Sequence, residues 1–188
     1  MILPDKYASV SRDSFSDGVY SIVPIRYEDR MDIMKWRNEQ IYHLRQQNPL
    51  KASDQEVYFR EVISALFHQE KPEQYLFSYL KGDNCIGYGG LVHINWKDKN
   101  AEISFIMETQ MEGKYFAFHW QKFLSLIEVF GFQELKLHKL YVYAFDLRPH
   151  LYEVLLRSSY FQDARLREHC CFGDKYIDVV IHSKIGSS

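Results

Sequence analysis

The chain has 188 residues, 46% of them hydrophobic and 16% aromatic, a composition that excludes a disordered or low-complexity protein and is typical of one domain with a full core. Its formal net charge of −2 argues against nucleic acid as the main partner, because binding phosphates requires an excess of basic residues. The sequence shows no signal peptide, no run of about 18 apolar residues and no spaced Cys or His pairs, so we expect a cytoplasmic protein with no membrane span and no metal.

Hydrophobic periodicity predicts the elements of the N-terminal half. In chain order they are a loose polar arm (1–19), a strand (20–27), a helix (28–46), a second helix (about 54–69) and three strands (74–81, 85–96 and 101–107). Ser53 with Glu56 fits a capping box at the start of the second helix. Short polar turns separate the three strands, which predicts an antiparallel meander.

The C-terminal half predicts two more helices and further strands. An apolar stripe indicates a helix that begins after Gly113 and ends near Gly131. A strand at 138–145, a short helix around Leu151 and a last strand at 175–184 follow. The whole order predicts the α/β (α+β) class, with a single mixed, mostly antiparallel sheet carrying helices on both faces and forming one domain over 20–185.

The turn Gln110–Lys114 separates an apolar strand from an amphipathic helix. The first N–H groups of a helix lack intrahelical partners and carry partial positive charge, so such a turn can bind an anion. Gly113 permits close backbone approach or a positive φ, and Lys114 adds a positive charge. A turn that merely connects the two elements would show the same spacing, and the spacing alone leaves both readings open.

Four segments in the same order resemble the GNAT superfamily of acetyl-CoA-dependent N-acetyltransferases, in the branch of ribosomal-protein and amino-sugar acetyltransferases. They are "KWRNEQ" (35–40), "NAEISFIMETQMEGKYFA" (100–117), "LKLHKLYVYAFDLRPHLYEVL" (135–155) and "ARLREHCCFGDKYIDVVIHS" (164–183). The resemblance implies a GNAT-like fold and acetyl-CoA as the cosubstrate. The sequence departs from the family pattern at three places: Tyr115 replaces a small residue of the loop, Asp146 replaces an asparagine, and Tyr160 with Phe161 replaces a Gly-Phe pair at the end of the last helix.

The resemblance also implies where the cofactor lies. The backbone of Phe105, Ile106 and Met107 is expected to pair with the pantetheine arm, in a cleft where two strands separate. The pyrophosphate is expected on the loop formed by Gln110, Met111, Glu112, Gly113, Lys114, Tyr115 and Phe116. Asp146 is expected to hold cofactor amides or to cap the helix that follows it.

Glu102 and Tyr152 are the catalytic candidates. A partly buried Glu102 carboxylate could take the proton of the amine, whereas the alternative is a surface glutamate on the outer face of its strand. In the resemblance Tyr152 is the phenol that protonates the departing thiolate, and the alternative is an aromatic side chain that packs the helix onto the sheet.

The acceptor-binding candidates are Trp36, Arg37, Asn38, Tyr42, Arg45, His93 and the segment "CFGDKY" (171–176). Trp36 could equally be core and Arg37 a structural ion pair, and His93 is also a possible base. The predicted activity is acetyl transfer to a primary amine, on a nucleotide-linked amino sugar or a protein N-terminus, by direct attack in a ternary complex. The alternative is a degenerate acyl-CoA-binding or interaction module without catalysis. Either a monomer or a homodimer is compatible with the sequence.

Overall fold

The computed structural model describes residues 1–44 and 46–186, which form an eight-stranded sheet in the order β1-β2-β3-β4-β5-β6-β8-β7. The strands are β1 (Phe15–Asp17), β2 (Tyr20–Pro24), β3 (Tyr75–Lys81), β4 (Asn84–Asn95), β5 (Asn100–Met107), β6 (Lys139–Phe145), β7 (Phe161–Phe172) and β8 (Lys175–Ile185). The α-helices are α1 (Arg30–Glu39), α2 (Ala52–Val57), α3 (Ser64–Leu66), α4 (Phe116–Glu128) and α5 (His150–Arg157). A π-helical segment (Tyr58–Ile63) joins α2 to α3, and a second one (Val129–Glu134) extends α4.

The predicted fold class is confirmed as a mixed, mostly antiparallel sheet. Strands β3, β4 and β5 form the expected meander, and among the described strands only β5 and β6 pair in parallel. Helix α4 covers one face, where the ring of Phe123 stacks on Phe105 at 4.1 Å. Helix α1 covers the other face, where Ser78 of β3 donates a hydrogen bond to Asp29 at 2.6 Å.

The N-terminal residues, predicted as a loose arm, pack onto the sheet instead. Phe15 begins strand β1, which pairs with β2. The Tyr7 side chain is fully buried and stacks on Phe67, and its hydroxyl donates to the carbonyl of Leu76 at 2.7 Å. A few apolar residues spaced through a polar segment are enough to bury it, and that spacing has no helix or strand period to reveal it.

Two local predictions, the helix end at Gly131 and the capping box of Ser53 with Glu56, are also wrong. Gly131 does not end the helix, because it lies within the π-helical extension, where a Cβ would meet Leu140 Cδ1 at 2.9 Å. The glycine therefore lets the helix approach β6 closely. At α2 the capping carboxylate belongs to Asp54, which accepts from the Lys51 backbone N–H at 3.3 Å, while Glu56 accepts from Arg30 at 2.8 Å.

Within the described ranges, no helix is long and apolar enough to cross a lipid bilayer.

Candidate active site

Strands β5 and β6 separate soon after they meet, and a cleft opens between them. Their parallel pairing covers only Asn100–Glu102 with Lys139–Tyr141. Beyond Glu102 the strands diverge around a cavity of about 690 Å³. Its walls include Ile103, Ser104, Phe105 and Ile106 of β5 and Tyr141, Val142, Tyr143, Ala144 and Phe145 of β6. One edge of β5 is therefore free to pair with an extended ligand, as the resemblance implies.

The side chains of Phe105, Ile106 and Met107 are buried. These residues can therefore offer a ligand only their backbone groups. The carbonyl of Met107 already accepts a hydrogen bond from the buried Gln40 side chain at 2.7 Å, which anchors the end of β5 to helix α1. Gln40 holds the rim of the cleft in place, a role that the sequence pattern did not indicate.

The loop from Gln110 to Tyr115 leads directly into α4, whose N-cap residue Tyr115 makes no side-chain capping hydrogen bond. A Cβ on Gly113 would meet nothing within 4 Å, and its φ is outside the left-handed region. The glycine is thus not required by the turn itself, and the space above it remains open for an anion at the helix N-terminus. Lys114 is exposed, and its ammonium lies 5.4 Å from the centre of the Tyr115 ring.

The other loop residues differ in exposure. Gln110 is exposed, Met111 packs partly on the core and Phe116 is buried. Tyr115 is 49% exposed, so its ring leaves the core and faces solvent beside Lys114. The bulk of this ring therefore lies at the edge of the loop rather than in the core beneath it.

Glu112 and Arg148 form a buried pair between the loop and the start of α5. Arg148 Nη1 lies 3.4 Å from Glu112 Oε2, and both side chains are less than 15% exposed. Burial raises the pKa of Glu112 and lowers the pKa of Arg148. The second carboxylate oxygen of Glu112 is buried without a hydrogen-bond partner among the described residues. Arg148 lines the cleft and balances the one acidic side chain of the predicted phosphate loop.

His43 is buried at the same end of the cleft. Burial lowers the pKa of His43 to about 3, and the positive charge of Arg148 acts in the same direction. In the unfolded chain the imidazole has a pKa near 6.5. Since the unfolded state then binds more protons, this residue's contribution to stability is complete above about pH 6.5 and is lost as the pH falls toward 3.

Lowering the pH from 7 to 5 is therefore expected to remove about 2 kcal/mol of unfolding free energy through His43 alone. The measurement is urea unfolding at both pH values for the wild type and for His43→Gln, which should show a correspondingly smaller loss. His68→Gln, at an exposed position, is the matched control and should behave as the wild type. Equal losses in wild type and His43→Gln would contradict the assignment.

Glu102 and His93 meet in the cleft as a hydrogen-bonded pair. His93 Nδ1 lies 2.9 Å from Glu102 Oε2, with 19% of the Glu102 side chain and 73% of the His93 side chain exposed. His93 has a φ of 49°, unusual for a residue other than glycine, and the β4–β5 register shifts between Val92 and Asn95. This bulge turns the imidazole toward a carboxylate on the neighbouring strand.

Alternation along β5 puts Glu102, Ser104 and Ile106 on the same face of the sheet. The sequence pattern does not show which helix covers that face. The structure places this face away from α4, because Phe105 on the opposite face stacks on Phe123 of that helix. Glu102 is therefore directed to the α1 side of the sheet and lines the cleft. Glu102 is therefore not a surface glutamate on the outer face of its strand.

Tyr152 and Asp146 form a separate cluster. The Tyr152 hydroxyl donates to Asp146 Oδ1 at 2.7 Å, and its ring stacks on His182 at 5.1 Å. Asp146 also accepts from Arg165 at 2.6 Å, and α5 begins after Pro149, so Asp146 does not cap that helix. Burial and the Asp146 hydrogen bond raise the pKa of Tyr152. Tyr152 is not part of the cleft wall, and the proton-donor role remains a prediction that this geometry does not favour.

We expect Tyr152→Phe to cost about 1 kcal/mol of unfolding free energy through the lost hydrogen bond. Its kcat should stay within about threefold of the wild type, whereas loss of a general acid would cost about a hundredfold or more. Denaturant unfolding and steady-state kinetics on the same preparations measure both quantities. A hundredfold fall in kcat with unchanged stability would restore Tyr152 as the acid.

The acceptor-binding candidates lie in different environments, and only some of them line the cleft. Trp36 is 4% exposed and belongs to the core, so it cannot stack on a ligand. Asn38 holds the following loop through hydrogen bonds with the backbone of Leu50 at 2.7 and 3.0 Å. Arg37 lines the cleft, and its Nη1 donates to the Tyr88 hydroxyl at 2.5 Å. Arg45 lies outside the described residues.

Several wall residues were missed by sequence reasoning. They are His43, Gln74, Tyr141, Tyr143 and Arg148. The one available signal was the position of Arg148 between the end of an apolar strand and Pro149, at the rim of the expected cleft. The others sit in ordinary helix or strand patterns that do not mark them.

Known proteins share the fold of this chain. A family model described as "Acetyltransferase (GNAT) domain" matches residues 22–181. The spermidine N-acetyltransferase from Vibrio cholerae, solved in complex with CoA and spermine, superposes with a TM-score of 0.77 at 18% identity over 90% of this chain and 96% of that one. A dodecameric structure of that enzyme in an intermediate state gives 0.72 at 20% identity over 90% and 95%. At such identities the likeness establishes the fold alone. No curated protein matches the sequence.

Proposed function

The chain belongs to the GNAT acetyltransferase family, and from that premise we propose that it acetylates a primary amine by direct attack within a ternary complex. Family membership makes acetyl-CoA the acetyl donor. The observation that carries the proposal is the Glu102–His93 pair, which lies in the cleft between the diverging strands β5 and β6. A degenerate binding module would have no need of a paired base at this position.

The residues around the cleft fit acetyl-CoA. The open space at Gly113 and the uncapped start of α4 suit a pyrophosphate, and the free edge of β5 suits an amide-bearing arm. Acetyl-CoA supplies the activated acyl carbon that the amine attacks. Backbone N–H groups along this edge of β5 are suited to binding and polarising the acyl oxygen.

Glu102 and His93 take up the proton that the attacking amine loses. A carboxylate that accepts from one imidazole nitrogen orients the ring and fixes which nitrogen carries the proton, so the pair can work as one base. Tyr141 is the register partner of Glu102 at the point where the strands separate. Burial and the Glu102 charge raise the pKa of Tyr141, so its hydroxyl stays protonated at neutral pH. Its position in the cleft wall makes it the candidate to return a proton to the departing sulfur.

The acceptor is a primary amine, for which two classes were expected from the sequence, a nucleotide-linked amino sugar and a protein N-terminus. The solved relatives add a third class, because the Vibrio cholerae enzyme is a spermidine N-acetyltransferase. All three present an amine to the same base. The charge of the cleft walls distinguishes these three classes of acceptor.

Calorimetric titration with acetyl-CoA, followed by assays of CoA release with amines of each class, tests the proposal. Binding with amine-dependent CoA release is the expected result. Binding without CoA release for any class would favour the non-catalytic module. Absence of acetyl-CoA binding would overturn the proposed function altogether.

A further inference from the structure

Arg37 stands where two cavities meet. The cleft of about 690 Å³ adjoins a second cavity of about 440 Å³ on the α1 side of the sheet. Arg37, Gln74, Val92 and Ser104 line both. Beyond this junction the second cavity has aromatic walls, formed by Tyr58, Phe59 and Tyr88. A ligand whose amine reaches Glu102 can thus place its remainder beside Arg37 and these rings.

The guanidinium of Arg37 has neutral partners. It donates to the Tyr88 hydroxyl at 2.5 Å and to Gln46 Oε1 at 3.1 Å, and it forms no ion pair with a carboxylate among residues 1–44 and 46–186. Two other arginines nearby in sequence do pair, Arg26 with Asp29 and Arg30 with Glu56. A partly buried cation without an anionic partner is costly, and such a position is typical of a site that receives an anion.

The charges on the walls of the two cavities also favour an anionic ligand. The described walls of the two cavities carry Arg37 and Arg148 against the carboxylates of Glu102 and Asp54. Glu102 is already paired with His93, and Asp54 accepts from the Lys51 backbone N–H. A polyamine with several positive charges would need more free carboxylates than these walls provide.

We propose that the amine acceptor carries an anionic group, a phosphate or a carboxylate, which Arg37 binds with Tyr88 while the amine lies at Glu102 and His93. The aromatic walls then cover the apolar face of a sugar ring or a short side chain. This inference rests on the proposed function for the role of the amine, but the anion site itself can be measured without turnover. Planar, bidentate recognition suits an arginine here better than a lysine.

Calorimetric titration of the CoA-loaded protein tests the site, because bound CoA fills the phosphate loop. The probes are glucosamine, glucosamine 6-phosphate, the dipeptide alanyl-alanine for a carboxylate, and spermidine. We expect an anionic probe to bind at least about tenfold more tightly than both glucosamine and spermidine. Whether the phosphate or the carboxylate binds more tightly identifies the source of the anion. Equal or tighter binding of spermidine or glucosamine would overturn the inference.

Three variants separate recognition of the anion from an effect on folding. Arg37→Gln should lose at least about tenfold in affinity for the anionic probe and leave glucosamine binding within about threefold, and Arg37→Lys should lose part of the preference. Lys35→Gln removes the same charge from an exposed position of α1 and should retain wild-type binding. Equal losses for anionic and neutral probes in Arg37→Gln would mean a structural role and overturn the proposal. Selective anion binding without CoA release would instead count against the proposed function alone.

Discussion

Replacing Glu102 with glutamine is expected to lower kcat about a hundredfold or more and to leave the affinity for acetyl-CoA within about threefold. The amide keeps the size of the side chain but can no longer accept a proton. It also removes the negative partner 2.9 Å from His93 Nδ1. Steady-state kinetics with a confirmed amine, together with titration of acetyl-CoA, measure the two effects separately.

The partner variant His93→Asn tests whether the two residues act as a unit. Groups that share one step are strongly non-additive, so the double variant should be no slower than the slower single variant. Glu70→Gln, at an exposed position in the turn after α3, is the control and should keep wild-type kcat. A kcat for Glu102→Gln within threefold of the wild type would remove Glu102 from the mechanism, and additive effects would mean that Glu102 and His93 act in different steps.

The second large effect is expected at the predicted phosphate loop, residues 110–116. Gly113→Glu should weaken acetyl-CoA binding about a hundredfold or more, which corresponds to about 2.7 kcal/mol. The new carboxylate would occupy the open space above Gly113 and repel the pyrophosphate at the start of α4. Because nothing lies within 4 Å of the added Cβ and φ is not left-handed, the unfolding free energy should change by only about 0.5 kcal/mol.

Gly113→Gln is the matched control, since it has the same size without the charge. We expect it to weaken binding much less than Gly113→Glu, and calorimetry on both variants gives the comparison. If the two variants weaken binding equally, steric exclusion rather than charge governs the loop. If neither weakens binding, the turn is only a connection, and the cofactor lies elsewhere in the cleft.

Much of the fold was predictable because its signals are local. The meander of β3, β4 and β5 was readable from apolar runs separated by short polar turns, and the start of α4 from the stripe that follows Gly113. The segments that resemble the GNAT superfamily were short and in order, and the family model that matches residues 22–181 confirms the assignment. The N-terminal packing of Tyr7 was missed, since burial of isolated apolar residues leaves no period in the sequence.

The sequence by itself determined the order of the elements that follow the N-terminal segment, the family, and the glycine of the predicted phosphate loop. Only the tertiary structure decided which side chains meet in the cleft. Glu102 could have faced either way, because a period of two separates the faces of a strand without saying which one is covered. The packing of α4 on Phe105 settled that question, and a bulge nine residues earlier brought His93 to the same carboxylate. The buried pair of Glu112 and Arg148, 36 residues apart, likewise exists only because the chain returns to the cleft after β6.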